Sequence, residues 1–229
     1  MDTHQSLRER KKEATRKLLA FTALEMFEER GFDNVSVAEI AEAAEVSKKT
    51  VFNYFTVKED LVLGFGKHHI DEPAEAVRTR APGQTPLDAM RDYVLTGLAE
   101  RQPMLGLSAH PLVMRIQRLV DRTPALAVRQ MEYTEMTRAR LAEALLEEDS
   151  SRLSARLVAA QLHATQQVLA GENFRRVTGG ESPDDVYPDA VVTAENTFEW
   201  LRTGMGDMLR RPAAPEENGS SRAGGGEVG

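Results

Sequence analysis

Residues 47–54 carry several hydrogen-bond donors on what we predict to be one short helix. Ser47 suits the N-cap, and the helix should run to Phe55 with Val51 buried. Its outer face would present Lys48, Lys49, Thr50, Asn53 and Tyr54. Lysine can donate to guanine or phosphate, asparagine can pair with adenine, threonine can touch a thymine methyl, and tyrosine can donate to phosphate. These residue types therefore suit contacts in the major groove of double-stranded DNA.

The preceding stretch has the pattern of a second short helix. Ser36 stands three residues before Glu39, which is the spacing of a capping box. The apolar residues at helical spacing are Val37, Ile40, Ala41 and Ala44. A tight turn then leads to Ser47, so we predict two short helices joined by a turn. Ser36 and Val37, at the start of the first helix, are also candidate DNA contacts.

A further helix is predicted after this pair. Thr56 and Glu59 repeat the capping pattern, so the helix should begin near Val57 and end or kink at Pro73. Lys58 would then lie in its first turn, near the backbone of a bound duplex. Movement along this segment would change the position of the DNA-contacting part relative to the rest.

The stretch resembles the DNA-binding domain of TetR-family bacterial regulators. The block from Val46 to Asp60 is the most specific part of the resemblance. It extends back to Leu19, Ala23, Leu24, Phe27, Gly31 and Phe32, and so covers roughly the first quarter of the chain. One departure is Glu45, where the family usually has glycine. This turn position often needs a left-handed backbone, which costs a residue with a Cβ about 1 kcal/mol.

The resemblance implies an all-α fold with two parts. Residues 1–56 would form a three-helix, helix-turn-helix DNA-binding head with a basic N-terminal arm, and residues 57–210 a helical ligand-binding and dimerisation body. The expected function is a homodimeric repressor, released from a palindromic DNA operator by a small, largely apolar effector. A ligand-independent DNA-binding regulator or an activator is the alternative. Residues 211–229, rich in proline and glycine, are predicted to be disordered.

The charge of the chain is unevenly distributed. The net charge is −7 and the pI about 5.4, yet all lysines lie at or before Lys67. Lys11 and Lys12 belong to a basic arm that could contact phosphate or the minor groove. Because Glu9 and Glu13 are interspersed, a solvated helix start is the alternative interpretation of that arm, and the sequence does not favour either.

Composition also limits the function classes. The chain has no cysteine, which excludes disulfides and thiolate metal sites. It shows no signal-peptide pattern and no long apolar run, so we expect a cytoplasmic protein with no membrane partner.

The remainder of the chain is patterned as helices separated by proline and glycine. Thr85 precedes Pro86 and has Asp88 three residues on, which marks a helix start. The last helix should run from about Tyr187 to Leu209. By the resemblance, the dimer surface would come from residues 152–177 and 187–209. The candidates are Leu157, Ala160, Ala164, Val168, Phe198, Trp200 and Leu201.

A ligand cavity is expected among the intermediate helices. The candidate lining residues are Met90, Tyr93, Met104, Met114, Gln117, Met131, Tyr133, Met136 and Gln166. Methionine adapts to varied apolar ligands, although for any one of these residues core packing is the favoured interpretation. The stretch 121–126 is similar to a TetR subgroup thought to bind acyl-CoA-like ligands, which does not name a ligand.

An enzyme is the third hypothesis. Nucleotide-binding loops, dinucleotide fingerprints, a nucleophile elbow and zinc-protease motifs are all missing from the sequence. Ser108 and His110 are close in sequence but fall on a predicted helix break. The histidines, including His68 and His69, lack a tight ligand spacing with acids, so neither a metal nor another cofactor is expected.

Overall fold

The computed structural model describes residues 7–147 and 151–204, which form helices, short 3-10 turns and loops. The α-helices are α1 (Leu7–Arg30), α2 (Val37–Ala43), α3 (Lys48–Tyr54), α4 (Asp60–Leu63), α5 (Glu72–Arg78), α6 (Pro86–Ala99), α7 (Pro111–Asp121), α8 (Pro124–Leu146), α9 (Arg152–Thr178) and α10 (Pro183–Thr203). The 3-10 turns are Phe32–Asn34, Lys67–Ile70 and Pro103–Leu105. The predicted all-α fold class is confirmed.

Helices α1, α2 and α3 surround the apolar core of an N-terminal head. Leu19, Leu24 and Phe27 of α1 are at most 1% exposed. Ile40 of α2 and Val51 of α3 belong to the same buried cluster. Because α2 and α3 are each too short to be stable alone, this burial holds them in place.

Serine caps fix the first residues of α2 and α3, as their spacing predicts. The Ser36 Oγ accepts the Glu39 N–H at 3.2 Å, and the Glu39 carboxylate accepts the Ser36 N–H at 2.8 Å. The Ser47 Oγ accepts the Thr50 N–H at 3.0 Å. Each such cap stabilises a helix by about 1 kcal/mol.

The turn between α2 and α3 contains a left-handed glutamate. Glu45 has a φ of +54°. The Val46 N–H donates to the Ala41 carbonyl at 2.9 Å, and the Glu45 N–H donates to the Glu42 carbonyl at 3.0 Å. These two bonds form a Schellman motif, which satisfies the last carbonyls of α2. The position therefore requires the left-handed backbone expected of it.

The connection after α3 differs from the predicted single helix between Val57 and Pro73. Helix α4 spans one turn and ends at Gly64, and the 3-10 turn Lys67–Ile70 follows. Pro73 lies in the first turn of α5, where its missing N–H would have no partner in any case. Pro73 thus begins a helix, and the prediction that it ends one is wrong.

Helices α5, α6, α8, α9 and α10 surround a second apolar core, the body core. Helix α8 is shared between the two cores. Leu126 and Tyr133, in its first half, belong to the head cluster, whereas Leu141 and Leu145 belong to the body cluster. A displacement of α8 would therefore change the packing of the head.

Two ion pairs add to the contact between the head and the helices behind it. The Arg115 guanidinium of α7 donates to the Glu28 carboxylate of α1 at 2.5–3.0 Å. The Arg129 guanidinium of α8 donates to Asp60 of α4 at 2.8 and 3.1 Å. The Tyr133 hydroxyl donates to the same carboxylate at 2.7 Å, and Asp60 is only 3% exposed.

The last helix starts earlier than the predicted Tyr187. The Ser182 Oγ accepts the Asp185 N–H at 3.1 Å, and Pro183 occupies the first turn. Both the predicted end at Leu209 and the predicted disordered tail, 211–229, lie outside the described residues.

Candidate nucleic-acid interface

Helix α3 presents three of its predicted DNA-contacting side chains to solvent. Lys48, Lys49 and Asn53 are exposed, while Tyr54 is half-buried and packs against the head core. Val51, on the opposite face, is 1% exposed and anchors the helix. The donors therefore stand on a helix whose backbone is fixed by its own core contact.

The polar residues at the helix starts have capping roles. The Thr50 and Ser47 hydroxyls lie 2.8 Å apart. Ser36 caps α2, and Val37 is half-buried against the head core. Arg30 bonds Glu39 at 2.5 Å, so the side chains around this cap are tied together.

The Ser36 cap has an electrostatic consequence. The hydrogen bond from Arg30, together with those from Ser36, lowers the pKa of Glu39 to about 2. Glu39 therefore stays ionised at neutral pH and satisfies the donors at the start of α2.

Lys58 was predicted to lie in the first turn of a helix. It instead precedes the helix, because α4 begins at Asp60. Its ammonium donates to the Phe32 carbonyl at 2.5 Å and lies 4.1 Å from the Phe32 ring centroid. Burial lowers the pKa of Lys58, although nearby acids such as Asp33 oppose this. The lysine thus fastens the segment after α3 to the turn after α1.

Phe52 is a surface residue of α3 that was not among the sequence candidates. Its side chain is 47% exposed, and the Lys48 ammonium lies 6.0 Å from its ring centroid. Helical spacing could have found it, because Phe52 lies three and four residues after Lys49 and Lys48. Lys11 and Lys12 are exposed on α1.

The candidate ligand residues occupy three different environments. Met90 is fully buried in the body core, and Tyr133 is in the head cluster, where it bonds Asp60. Met131 is 70% exposed, and Met104 and Met136 are each 39% exposed. This corrects the expectation that these three methionines line a common interior, because each is exposed at the surface of the single chain.

Met114 and Gln117 are half-buried on α7. The Gln117 side chain donates to Asp121 at 2.7 Å, within the same helix. The stretch 121–126 ends α7 and begins α8, with Leu126 fully buried in the head cluster. Packing alone accounts for apolar residues at these positions.

Tyr93 and Gln166 are brought together, beside His163. The Tyr93 hydroxyl donates to the Glu72 carboxylate at 3.1 Å. Burial is the largest cause that raises the pKa of Tyr93, and the charge of Glu72 is the second. Gln166 and His163 are each 4% exposed. Among residues 7–147 and 151–204, the Gln166 Oε1 and both His163 ring nitrogens have no hydrogen-bond partner. Burial lowers the pKa of His163, so its imidazole is neutral at pH 7.

A pocket of about 270 Å³ opens beside this cluster. It is lined by Ala76, Gln84, Ala89, Asp92, Tyr93, Thr96, Gly97 and Gln102. Gln102 was not a candidate, yet its Oε1 is buried without a partner in the part of the chain that the structure describes. The pocket is slightly smaller than the range of about 300–1,000 Å³ that is usual for ligand sites.

The candidate dimer residues separate into exposed and buried sets. Leu157, Val168 and Trp200 are 54%, 71% and 50% exposed, which leaves them available to a partner. Phe198 is 1% exposed and fills the body core, so its assignment to the surface is corrected.

The remaining dimer candidates, and two further exposed residues that the sequence did not single out, also lie on α9 and α10. Ala164 is exposed, whereas Ala160 and Leu201 are half-buried. Leu153 and Val192, exposed by 68% and 56%, were missed. Their four- and eight-residue spacing from Leu157 and Trp200 could have found them.

The structure places one acid close to two of the histidines. His68, His69 and Glu72 place one possible ligand atom each within 4.8 Å of one another. The expectation that these histidines lack a tight ligand spacing with acids is therefore corrected for this group, because Glu72 follows His69 by three residues.

A head with a capped α3, joined by a tight turn to α2, defines a helix-turn-helix DNA-binding protein. Residues 22–64 match the family profile described as bacterial regulatory proteins, tetR family. The regulator TcmR of Streptomyces glaucescens is 31% identical over 215 residues, covering 91% of this chain and 92% of that protein. The chain belongs to the TetR family of bacterial transcriptional regulators.

Two further comparisons agree with this assignment. The repressor KstR of Rhodococcus jostii is 28% identical over 184 residues, covering 70% of this chain and 85% of that protein. The crystal structure of NalD from Pseudomonas aeruginosa has a TM-score of 0.51 at 18% identity, covering 80% of this chain and 96% of that one, and shares the fold. In the described helices, none is long and apolar enough to cross a membrane.

Proposed function

We propose that this regulator is a homodimeric, cytoplasmic repressor that binds a palindromic operator and leaves it when a small molecule binds the body. The observation that carries the proposal is the outer face of α3, where Lys48, Lys49 and Asn53 are exposed on a capped helix. Two such helices in a dimer would read half-sites about one helical turn, or 34 Å, apart.

Each hydrogen-bond donor on the head would contact a particular part of the DNA. Lys49 and Asn53 would bond guanine and adenine edges in the major groove. Tyr54, Lys11 and Lys12 would contact phosphates, which position the head without reading sequence. The exposed Phe52 would pack against a thymine methyl.

Repression is supported by the relatives. KstR is a transcriptional repressor, and NalD is the secondary repressor of the MexAB-OprM multidrug efflux pump. A repressor needs only to occupy its operator, and a dimer that presents two heads would be sufficient for this. Activation would require a further contact surface for the transcription machinery.

Effector release is supported by the path of α8. Its first half packs in the head cluster and bonds Asp60, and its second half packs in the body core. A ligand that binds one position of α8 better would shift the head away from the DNA-competent spacing. The buried Oε1 of Gln102, which lines the pocket and has no partner among the described residues, would accept a hydrogen bond from the ligand, because unsatisfied buried atoms favour a hydrogen-bonding occupant.

Binding to DNA from the protein's own upstream region, measured at two salt concentrations, tests the head. Lys49→Ala should weaken binding about 5- to 150-fold and reduce sequence preference, if it contacts a base. Tyr54→Ala should weaken specific and random DNA alike. Lys67→Ala is the control, since Lys67 is an exposed lysine outside α3.

If Lys49→Ala and Lys67→Ala lose the same amount of DNA affinity, the recognition surface does not lie on α3. A wild-type protein that shows no salt-sensitive preference for any fragment of its own genome would overturn the proposal.

A further inference from the structure

The 3-10 turn Lys67–Ile70 and the start of α5 bring two imidazoles and a carboxylate together. The ring centroids of His68 and His69 are 3.8 Å apart. The His69 Nδ1 lies 2.7 Å from the Glu72 Oε1. One ligand atom from each residue lies within 4.8 Å of the other two.

This donor set matches the preferences of divalent transition metals. Imidazole nitrogen and carboxylate oxygen bind Zn²⁺ at about 2.0–2.2 Å, so tetrahedral ligand atoms lie about 3.4 Å apart. The ligand atoms of His68, His69 and Glu72 lie within 4.8 Å of one another and would have to move closer, by side-chain rotation, to bind one ion. All three side chains have solvent access to allow such rotations.

Hydrogen bonds from neighbouring residues orient the candidate ligands, as they do in other metal sites. The Tyr93 hydroxyl donates to the Glu72 Oε2 at 3.1 Å, which leaves the Oε1 directed at His69. The Phe65 carbonyl is close enough to His68 to accept a hydrogen bond from one of its ring nitrogens. Histidine ligands usually make this kind of bond to a backbone carbonyl.

One nearby charge opposes a cation. Arg16 of α1 is close enough to His68 to disfavour positive charge there. Its guanidinium, however, donates to the Gly64 carbonyl at 2.5 Å. The Glu72 carboxylate would offset this repulsion by direct ligation.

We propose that His68, His69 and Glu72 bind a divalent transition-metal ion of the Zn²⁺ or Co²⁺ type, with water in the fourth position. The ion would link the 3-10 turn to α5. That turn packs against α8 and follows α4, so the site lies at the junction of head and body. Metal binding here is separate from DNA binding and can be measured without an operator.

Calorimetric titration of tag-free, chelator-treated protein with Zn²⁺ tests the site, and Co²⁺ absorption reports its geometry. We expect one ion per chain with a dissociation constant in the micromolar range or below. Glu72→Gln and His69→Ala should each weaken binding at least 10-fold, and Tyr93→Phe should weaken it about 10-fold by freeing Glu72.

His110→Ala is the control, because His110 is an exposed histidine that caps α7 and is not one of the three candidate ligands, so its loss should leave binding unchanged. His68→Gln provides a second ligand variant at an exposed position if the Glu72 or His69 variants fail to fold. Absence of Zn²⁺ binding, or binding that survives the ligand variants unchanged, would overturn the proposal.

Discussion

Glu45 occupies a left-handed backbone position that glycine adopts without steric cost. Its φ is +54°, and the Schellman bonds of Val46 and Glu45 to Ala41 and Glu42 depend on that conformation. For a residue with a Cβ, this conformation costs about 1–2 kcal/mol. The strain lies in the turn that sets the angle between α2 and α3, and those bonds hold it in place.

Relieving this strain should stabilise the protein. Glu45→Gly is expected to unfold with a free energy about 1 kcal/mol higher than that of Glu45→Ala. Both changes remove the same charge, so the difference isolates the backbone conformation. Urea titration followed by circular dichroism measures it. Equal stabilities would mean that the turn is not strained.

Glu39 makes the start of α2 sensitive to acid. Its folded-state pKa is about 2, against 4.5 for an unperturbed glutamate, because Arg30 and Ser36 stabilise the ionised form. A depressed folded-state pKa contributes stability that is present above pH 4.5 and is lost as the pH falls toward 2.

The matching experiment compares wild type with Glu39→Gln at several pH values. The stability difference should be constant above about pH 5.5 and should shrink toward pH 3. Arg30→Gln should retain a weaker form of this dependence, because the Ser36 bonds remain. A difference that does not change with pH would contradict the assigned role.

At the scale of elements, α8 connects the two cores through a buried carboxylate. Asp60 accepts hydrogen bonds from Arg129 and Tyr133. Arg129→Met would leave this carboxylate with one donor, and we expect a loss of about 2–4 kcal/mol in the free energy of unfolding.

The comparison for Arg129→Met is Arg138→Met on the same helix. Arg138 pairs with Glu135, whose side chain is 62% exposed, so its loss should cost about 1 kcal/mol or less. The double change Asp60→Asn with Arg129→Met should recover part of the stability. Similar costs for the two arginine variants would show that the buried pair adds nothing beyond a surface pair.

Local signals were sufficient to predict many helix starts. The capping patterns at Ser36 and Thr85 both form in the structure, because each needs only residues within one turn. Pro73 was ambiguous, since a proline can follow one helix or open the next. The partner of Lys58 is a carbonyl at Phe32, and no local rule connects residues so far apart in sequence.

Burial could be predicted only in part for the same reason. A helix such as α10 shows which residues share a face, but not which neighbouring helix covers that face. Phe198 and Trp200 are both large and apolar, yet Phe198 is 1% and Trp200 50% exposed. The packing of α10 against α6 and α9 separates them, and it depends on the whole body.

At the scale of the whole molecule, the lysines and the exposed apolar residues of α9 and α10 belong to different parts of the chain. All lysines lie at or before Lys67, and the later chain is rich in acids. An acidic body would be repelled by DNA and so help to direct the lysine-bearing face of the head toward it. The exposed apolar residues of α9 and α10 are available to a different partner, and the second copy of the chain that we propose would cover them.

Changing one residue of that apolar face should therefore separate the dimer and abolish operator binding together. Val168, at 71% exposure, is the most exposed large apolar residue of α9. Val168→Arg would place two like charges near the two-fold axis and bury them, which should weaken association about 100-fold or more. Light scattering coupled to size exclusion would report the mass, and the promoter assay would report binding.

The control for the Val168 change is Val128→Arg, which adds the same charge at a 56% exposed valine of α8. It should remain dimeric, and it should bind DNA as tightly as the wild type. A Val168→Arg protein that keeps both its dimeric mass and its operator affinity would place the dimer interface elsewhere. Loss of the dimer in Val128→Arg alone would assign the interface to α8.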